Sequence, residues 1–242
     1  MILQKTTDLK FIPKRIISLV PSQTELLSGL GLQAETVGIT KFCVRPNAWF
    51  KTKTSVGGTK TINLKTIDEL QPDLIIANKE ENVKEQIEQL ALKYPLWLTD
   101  VNNFEEALLM IGDIGVLTGK DEKALSLINQ IKKAFTTLPK IEKPLKTAYL
   151  IWQKPYMTIG GDTFINDMLT HCGFENVFAA KTRYPEINIA ELPTANCQLL
   201  LLSSEPYPFK QKHITEIQAY LPDTKILLAD GEMFTRRPIA LD

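Results

Sequence analysis

Histidine and cysteine are scarce in this chain, with two of the first and three of the second among 242 residues. Cys43, Cys172 and Cys197 are too few and too far apart for a disulfide framework or a Cys-rich zinc site, so buried free thiols are expected. His171 and His213 both fall in stretches with a helical pattern and are expected to be ordinary surface or helix-end residues. A bare transition-metal receptor needs clustered histidines and carboxylates, so no metal site, no resident cofactor and no catalytic histidine dyad are expected. No run reaches the roughly 18 apolar residues of a membrane helix. Lys plus Arg equals Asp plus Glu at 28 each, and without a block of like charge there is no basic stripe for nucleic acid. A G-x-S-x-G elbow is absent, which leaves an esterase-type nucleophile without support. Gly29-Leu-Gly31-Leu-Gln-Ala34 matches a dinucleotide fingerprint by letter but closes a helix instead of opening one. Gly57-Gly58-Thr59-Lys60 lacks the spacing of a P-loop. The first ten residues hold no apolar core of an export signal, so Met1 as a native start implies a cytoplasmic chain.

Short apolar runs alternate with helical patterns through the whole length. Strands are expected at 15–20, 36–39, 74–77, 96–98, 147–152, 198–203 and 225–229, and helices at 22–30, 83–92, 104–117, 162–172 and 211–220. Ser22-Gln-Thr-Glu25 has the spacing of a capping box, with Ser22 as the cap. Gly31 and Gly173 each stand where a helix ends, the place for a left-handed residue. In 121–138, Ala124, Ile128, Ile131, Phe135 and Leu138 fall on one stripe, which predicts a helix of about 27 Å at 1.5 Å per residue. Alternation of this kind argues for parallel sheets covered on both faces. The fold expected is α/β, with two Rossmann-like lobes joined by one long backbone helix: 1–118, a connecting helix at 119–140, and 141–242. The two halves echo each other, except that 43 residues separate Gly31 from Leu74 and only 26 separate Gly173 from Leu199. Most of that excess must lie in 40–61, read as a long functional loop.

Ligands of open α/β sheets sit beyond the C-terminal ends of the strands. The loops expected there hold Phe42, Trp49, Trp152, Tyr156, Tyr184, Tyr207, Phe209 and Phe234, in a chain only 8% aromatic. Aromatic loops suit a large, flat, partly polar ligand, although about half of these rings are expected merely to pin loops to the sheet. The ligand-binding set read from the loops is Phe42, Trp49, Trp152, Tyr156, Tyr184, Glu205, Tyr207, Glu232 and Arg236. Catalytic residues are not assigned. An enzyme would have to rest on the strand-end carboxylates Glu80, Glu81, Glu205 and Glu232, which capping and solvation explain more simply.

Arg15-Ile-Ile-Ser-Leu-Val-Pro-Ser-Gln-Thr-Glu-Leu26, Leu70-Gln-Pro-Asp-Leu-Ile-Ile76, Cys172-Gly-Phe-Glu-Asn-Val-Phe178 and Gly231-Glu-Met-Phe234 together carry a resemblance. In their order and spacing the chain resembles the helical-backbone periplasmic binding proteins of iron-chelate and vitamin B12 ABC importers, nearest the cobalamin receptor branch. The resemblance implies a monomeric, exported receptor that holds a corrinoid or ferric siderophore in a cleft between its lobes, without catalysis. It implies ligand-lining aromatics at Phe42 and Tyr184, and an acid and a base at the ligand edge, Glu232 and Arg236. Thr59 and Asn78 stand where tryptophans are expected. Lys65 and Ala190, the latter beside Glu191, stand where receptor glutamates meet permease arginines, so docking to an ABC permease is altered. The alternative is a cytoplasmic protein that reuses the same fold for salvage or sensing of the same ligands.

Overall fold

The computed structural model describes residues 1–139 and 141–235. The chain divides into two compact units, the first made of Met1–Val101 and Glu105–Ile131, the second of Asn102–Phe104 and residues 132–235. Arg236 therefore lies outside the described residues.

The first unit is built on a six-stranded sheet in which every pairing is parallel. Its strands are β1 (Ile2–Leu3), β2 (Ile16–Ser18), β3 (Thr36–Ile39), β4 (Thr54–Ser55), β5 (Leu74–Asn78) and β6 (Leu96–Thr99), in the order β1-β6-β5-β2-β3-β4. Apart from Ser18, the central strands β2 and β5 are apolar up to Asn78, and they are wholly buried to that point, as strands covered on both faces must be. Helices α1 (Pro21–Gly29), α2 (Asn47–Thr52), α3 (Leu64–Leu70), α4 (Lys84–Ala91) and α5 (Phe104–Thr118) follow strands or precede them. Strand β1, two residues at the sheet edge, was not expected.

Helix α1 starts differently from the sequence reading. Its first residue is Pro21 and its N-cap is Val20, without a side-chain cap. Proline at the first position loses nothing, because that N–H has no intrahelical partner. Ser22 is therefore inside the helix and caps nothing, while Thr24 Oγ1 donates back to the Val20 carbonyl at 2.9 Å. The C-terminus behaves as expected. Gly31 takes φ +80°, its N–H reaches the Ser28 carbonyl at 2.9 Å, and the Leu32 N–H reaches the Leu27 carbonyl at 3.0 Å. That pair of bonds is a Schellman closure.

The expected long helix is α6 (Asp121–Thr136), which starts in the first unit and passes into the second after Ile131. Ala124 and Ile131 of its stripe are buried. A Cβ built on Gly115 of α5 would fall 2.4 Å from the Ala124 Cβ, so two small residues let the helices touch there.

The second unit holds a four-stranded parallel sheet, β7 (Leu145–Leu150), β9 (Phe174–Asn176), β11 (Leu199–Ser203) and β12 (Lys225–Ala229), in the order β12-β11-β7-β9. A small antiparallel pair joins β8 (Tyr156–Met157) to β10 (Glu186–Ile187). Its helices are α7 (Phe164–His171), α8 (Glu191–Thr194), α9 (Gln211–Gln218) and α10 (Gly231–Thr235). Helix α7 ends as α1 does, on a glycine, Gly173, at φ +78°. Alternation along β7 and β11 sorts the core into two clusters. Ala148, Leu150, Leu200 and Leu202 join Ile217 and Phe209 in one, and Tyr149, Ile151, Leu199 and Leu201 join Ile159 and Leu169 in the other.

Tyr149 is fully buried, and its hydroxyl donates to Ser203 Oγ at 3.0 Å. Burial pushes this phenol up to about 12, and the charges of Glu205 and Asp230 add to the effect. The unfolded chain gives up this proton near the ordinary value of about 10, whereas the folded chain keeps it. Stability present below pH 10 is thus lost as pH rises towards 12, by something of the order of 2 kcal/mol. Denaturant unfolding across that range should show the alkaline loss in the wild type and a smaller one in Tyr149→Phe. A second prediction concerns Gly160. Its N–H donates to the Arg183 carbonyl at 2.7 Å, and a Cβ there would sit 2.4 Å from the Lys181 carbonyl oxygen. Gly160→Ala should cost about 1–3 kcal/mol of unfolding free energy, read from the urea midpoint at constant slope.

Candidate functional site

In a parallel sheet every strand delivers its following loop to the same edge. In the first unit that edge is organised by backbone-directed polar side chains. Asn78 ends β5, and its Oδ1 accepts the N–H groups of Glu80 at 2.9 Å and Glu81 at 3.2 Å. Asn82 Oδ1 accepts the Asn78 N–H at 2.9 Å, and Asn82 Nδ2 donates to the carbonyls of Leu19 at 3.3 Å and Thr59 at 3.1 Å. Asn78 is thus a turn-forming residue, and Thr59 is buried. Beyond β3 the side chains alternate. Cys43 is buried between Thr24 Oγ1 at 3.1 Å and Thr40 Oγ1 at 3.2 Å, while Phe42 and Val44 are exposed. Phe42 keeps 48% of its surface open and has the Lys41 ammonium 5.3 Å from its ring centre.

The segment 40–61 is not a structureless loop. It contains α2 and β4, and Trp49 lies in α2 with only 4% of its surface exposed. The Lys53 ammonium stands 5.4 Å from the centre of its indole. Trp49 packs, and it offers a ligand no surface in this structure.

In the second unit the expected rings separate into two groups. Trp152, Tyr156 and Tyr207 gather beyond the ends of β7 and β11. The rings of Trp152 and Tyr207 meet edge to face at 5.6 Å, and Tyr207 meets Phe209 at 4.8 Å. Tyr156 and Tyr207 pack against the cluster that contains Leu150 and Leu202. Tyr184 packs instead against the opposite cluster, with Phe234, under the Arg183 guanidinium 5.7 Å from its ring centre. Trp152 keeps 40% of its surface exposed, while Tyr156 and Tyr207 are half-buried. Phe209, buried at 4%, is structural.

Glu205 follows β11, and its N–H donates to Ser203 Oγ at 3.3 Å. Gly231, which opens α10 before Glu232, packs closely there: a Cβ would lie 2.5 Å from Ser203 Oγ and 2.7 Å from Glu205 Cγ, so any side chain would force these two to shift. Its N–H donates to Ser204 Oγ at 2.9 Å. Glu205 and Glu232 are both half-buried on this edge.

Two residues that the sequence reading did not place at the site complete the aromatic group. Gln153 is buried beneath it, accepting from the Tyr207 hydroxyl at 2.9 Å and donating to the Tyr156 hydroxyl at 3.2 Å. His213 is not a surface residue. It is only 3% exposed, its Nδ1 accepts the Lys210 N–H at 2.8 Å, and its Nε2 lies 3.3 Å from the Tyr207 hydroxyl. Its place three residues after the N-cap of α9, where a side chain can reach back to the cap N–H, was the signal in the sequence. His171 does lie exposed at the end of α7. Cys43 and Cys197 are buried, and Cys172 is half-buried. Among the described residues no three His, Cys, Asp or Glu side chains are gathered to hold a metal ion, and no helix is long and apolar enough to cross a membrane.

Lys65 sits on α3 with 86% of its side chain exposed, 3.9 Å from Glu69. Ala190 is the exposed N-cap of α8, and the neighbouring Glu191 carboxylate accepts the Asn188 N–H at 2.8 Å. That bond holds the Glu191 carboxyl below its ordinary range, helped by Lys181.

Comparison with known proteins places this architecture. A vitamin B12-binding protein of Yersinia pestis (strain Pestoides F) is 27% identical over 195 residues, which span 78% of this chain and 69% of the relative. A solved structure from Staphylococcus epidermidis ATCC 12228, described as a possible iron-binding periplasmic solute-binding protein, superposes with a TM-score of 0.80 at 24% identity, covering 94% of this chain and 93% of the other. The periplasmic haem-binding protein RhuT from Roseiflexus sp. RS-1 superposes with a TM-score of 0.77 at 19% identity, covering 93% and 92%. At these identities the two superpositions show the fold. The family profile for periplasmic binding proteins matches residues 16–220, most of the chain. With parallel α/β sheets in each of its two units, this chain belongs to the periplasmic binding protein family.

Proposed function

We propose that the chain is the substrate-binding component of an ABC importer and that its ligand is a bulky metal chelate, of the corrinoid, tetrapyrrole or ferric siderophore class. The observation that carries this reading is the group Trp152, Tyr156 and Tyr207, partly exposed beyond the strand ends of the second unit and braced from below by Gln153 and His213. Rings held this way offer flat apolar area at little entropic cost, which suits a large planar or pseudo-planar guest. Phe42, Tyr184, Glu205 and Glu232 are proposed as further contacts, and Arg236 with them. The lobes of the reading are 1–118 and 141–242, with α6 as their connecting element. A catalytic step forms no part of it. The names of the relatives, which bind vitamin B12 and haem, support the ligand class.

A second reading draws on the exposed Lys65 and on Ala190, which present no acid to a basic permease surface. On that reading the same ligand class is bound, and the partner is not a usual permease.

A ligand that binds only the folded state adds RT ln(1 + [L]/Kd), about 2.7 kcal/mol at a hundredfold excess over Kd. Thermal unfolding with cyanocobalamin, cobinamide, haemin or a ferric trihydroxamate should therefore raise the midpoint by several degrees for at least one of them. No shift with any of the four would defeat the proposed function.

A further inference from the structure

The hydrogen atoms beneath the aromatic group can be assigned one by one. His213 Nδ1 accepts the Lys210 N–H, so the ring hydrogen sits on Nε2 and points at the Tyr207 oxygen. The Tyr207 oxygen accepts there, and its own hydrogen goes to Gln153 Oε1 at 2.9 Å. The orientation of the Gln153 amide is fixed independently, because a carboxylate only accepts and Glu216 Oε2 lies 3.4 Å from Gln153 Nε2. The other hydrogen of that amide then goes to the Tyr156 oxygen at 3.2 Å. Tyr156 is an acceptor towards the protein. Its hydroxyl hydrogen is directed away from the chain His213–Tyr207–Gln153.

We propose that this chain of hydrogen bonds makes Tyr156 an obligatory donor to the ligand, so that the site selects a guest with an acceptor oxygen (amide, carboxylate or hydroxamate) at the rim of its flat face. The assignment rests on the binding function proposed above and adds to it the polarity of one contact. Gln153 and His213 are positioning residues: neither needs to touch the guest. Breaking the chain at Gln153 frees the Tyr156 hydroxyl to turn and to spend its hydrogen elsewhere.

The test has a ligand-free arm and a binding arm. In the ligand-free protein, ¹⁵N NMR of the His213 ring should show the tautomer protonated at Nε2; protonation at Nδ1 alone would overturn the chain of assignments. In the binding arm, cyanocobalamin, haemin and a ferric trihydroxamate serve as probes, measured by calorimetry on wild type, Tyr156→Phe, Gln153→Leu and the double variant. For a probe that the wild type binds, Tyr156→Phe should weaken affinity about tenfold, the loss expected for one hydrogen bond to a buried acceptor. Gln153→Leu should weaken it in the wild-type background and cost clearly less in the Tyr156→Phe background, where only its hold on Tyr207 is left to lose, a non-additivity that general loosening of the fold does not produce. Melting temperatures of the ligand-free variants report folding separately. Affinity of Tyr156→Phe within twofold of wild type, or fully additive losses, would overturn the donor assignment. A wild-type protein that binds none of the probes overturns the proposed function and the donor role together, while the tautomer still decides the hydrogen-bond chain.

Discussion

Parallel pairing is the constraint on which everything else in this molecule depends. Each strand of the six-stranded and four-stranded sheets needs a return path, and the helices that supply it cover both faces. The strands can then be apolar throughout, as in Leu74-Ile-Ile-Ala77 and Leu199-Leu-Leu-Leu202. The same rule carries all the following loops of a sheet to one edge. Rings as distant in sequence as Trp152 and Tyr207 meet there because β7 and β11 are neighbours running in one direction.

Much of this was legible because local and long-range signals agree. Glycines at 31 and 173 end helices in the left-handed region, where a side chain would be strained, and short apolar runs such as Leu74–Ala77 read as strands. The readings that failed did so where two local rules compete. Ser22 has the letters of a cap, but Pro21 needs no donor and takes the first helical position, which leaves the serine inside α1. Strand β1 has two residues, too few for any period to appear. The segment 40–61 was read as one long functional loop because it has no strong apolar pattern, yet α2 needs only Trp49 to anchor it.

The candidate site was less legible than the fold for a physical reason. Composition shows that rings are concentrated in loops, and it cannot show which face of a sheet each loop reaches. Tyr184 and Tyr207 look alike in the sequence, but they pack against opposite clusters. Gln153 and His213 have no pattern of apolar spacing to announce them, because their importance lies in partners 54 and 6 residues away. Buried polar groups of this kind are satisfied or costly, so the network that satisfies them also fixes the orientation of the rings above it.

The alternation along β7 and β11 has a consequence for how such a chain can change its length over generations. Odd and even residues of these strands belong to different cores, so an inserted or deleted residue within either strand would transpose the two sides, bringing the Tyr149 phenol into the compartment of Leu150 and stranding Ser203 without it. The fold tolerates insertions and deletions better in the turns, and two of the rings, Trp152 and Tyr207, are carried outside the strands. The lineage can therefore vary its guest while the frame that presents it stays in register.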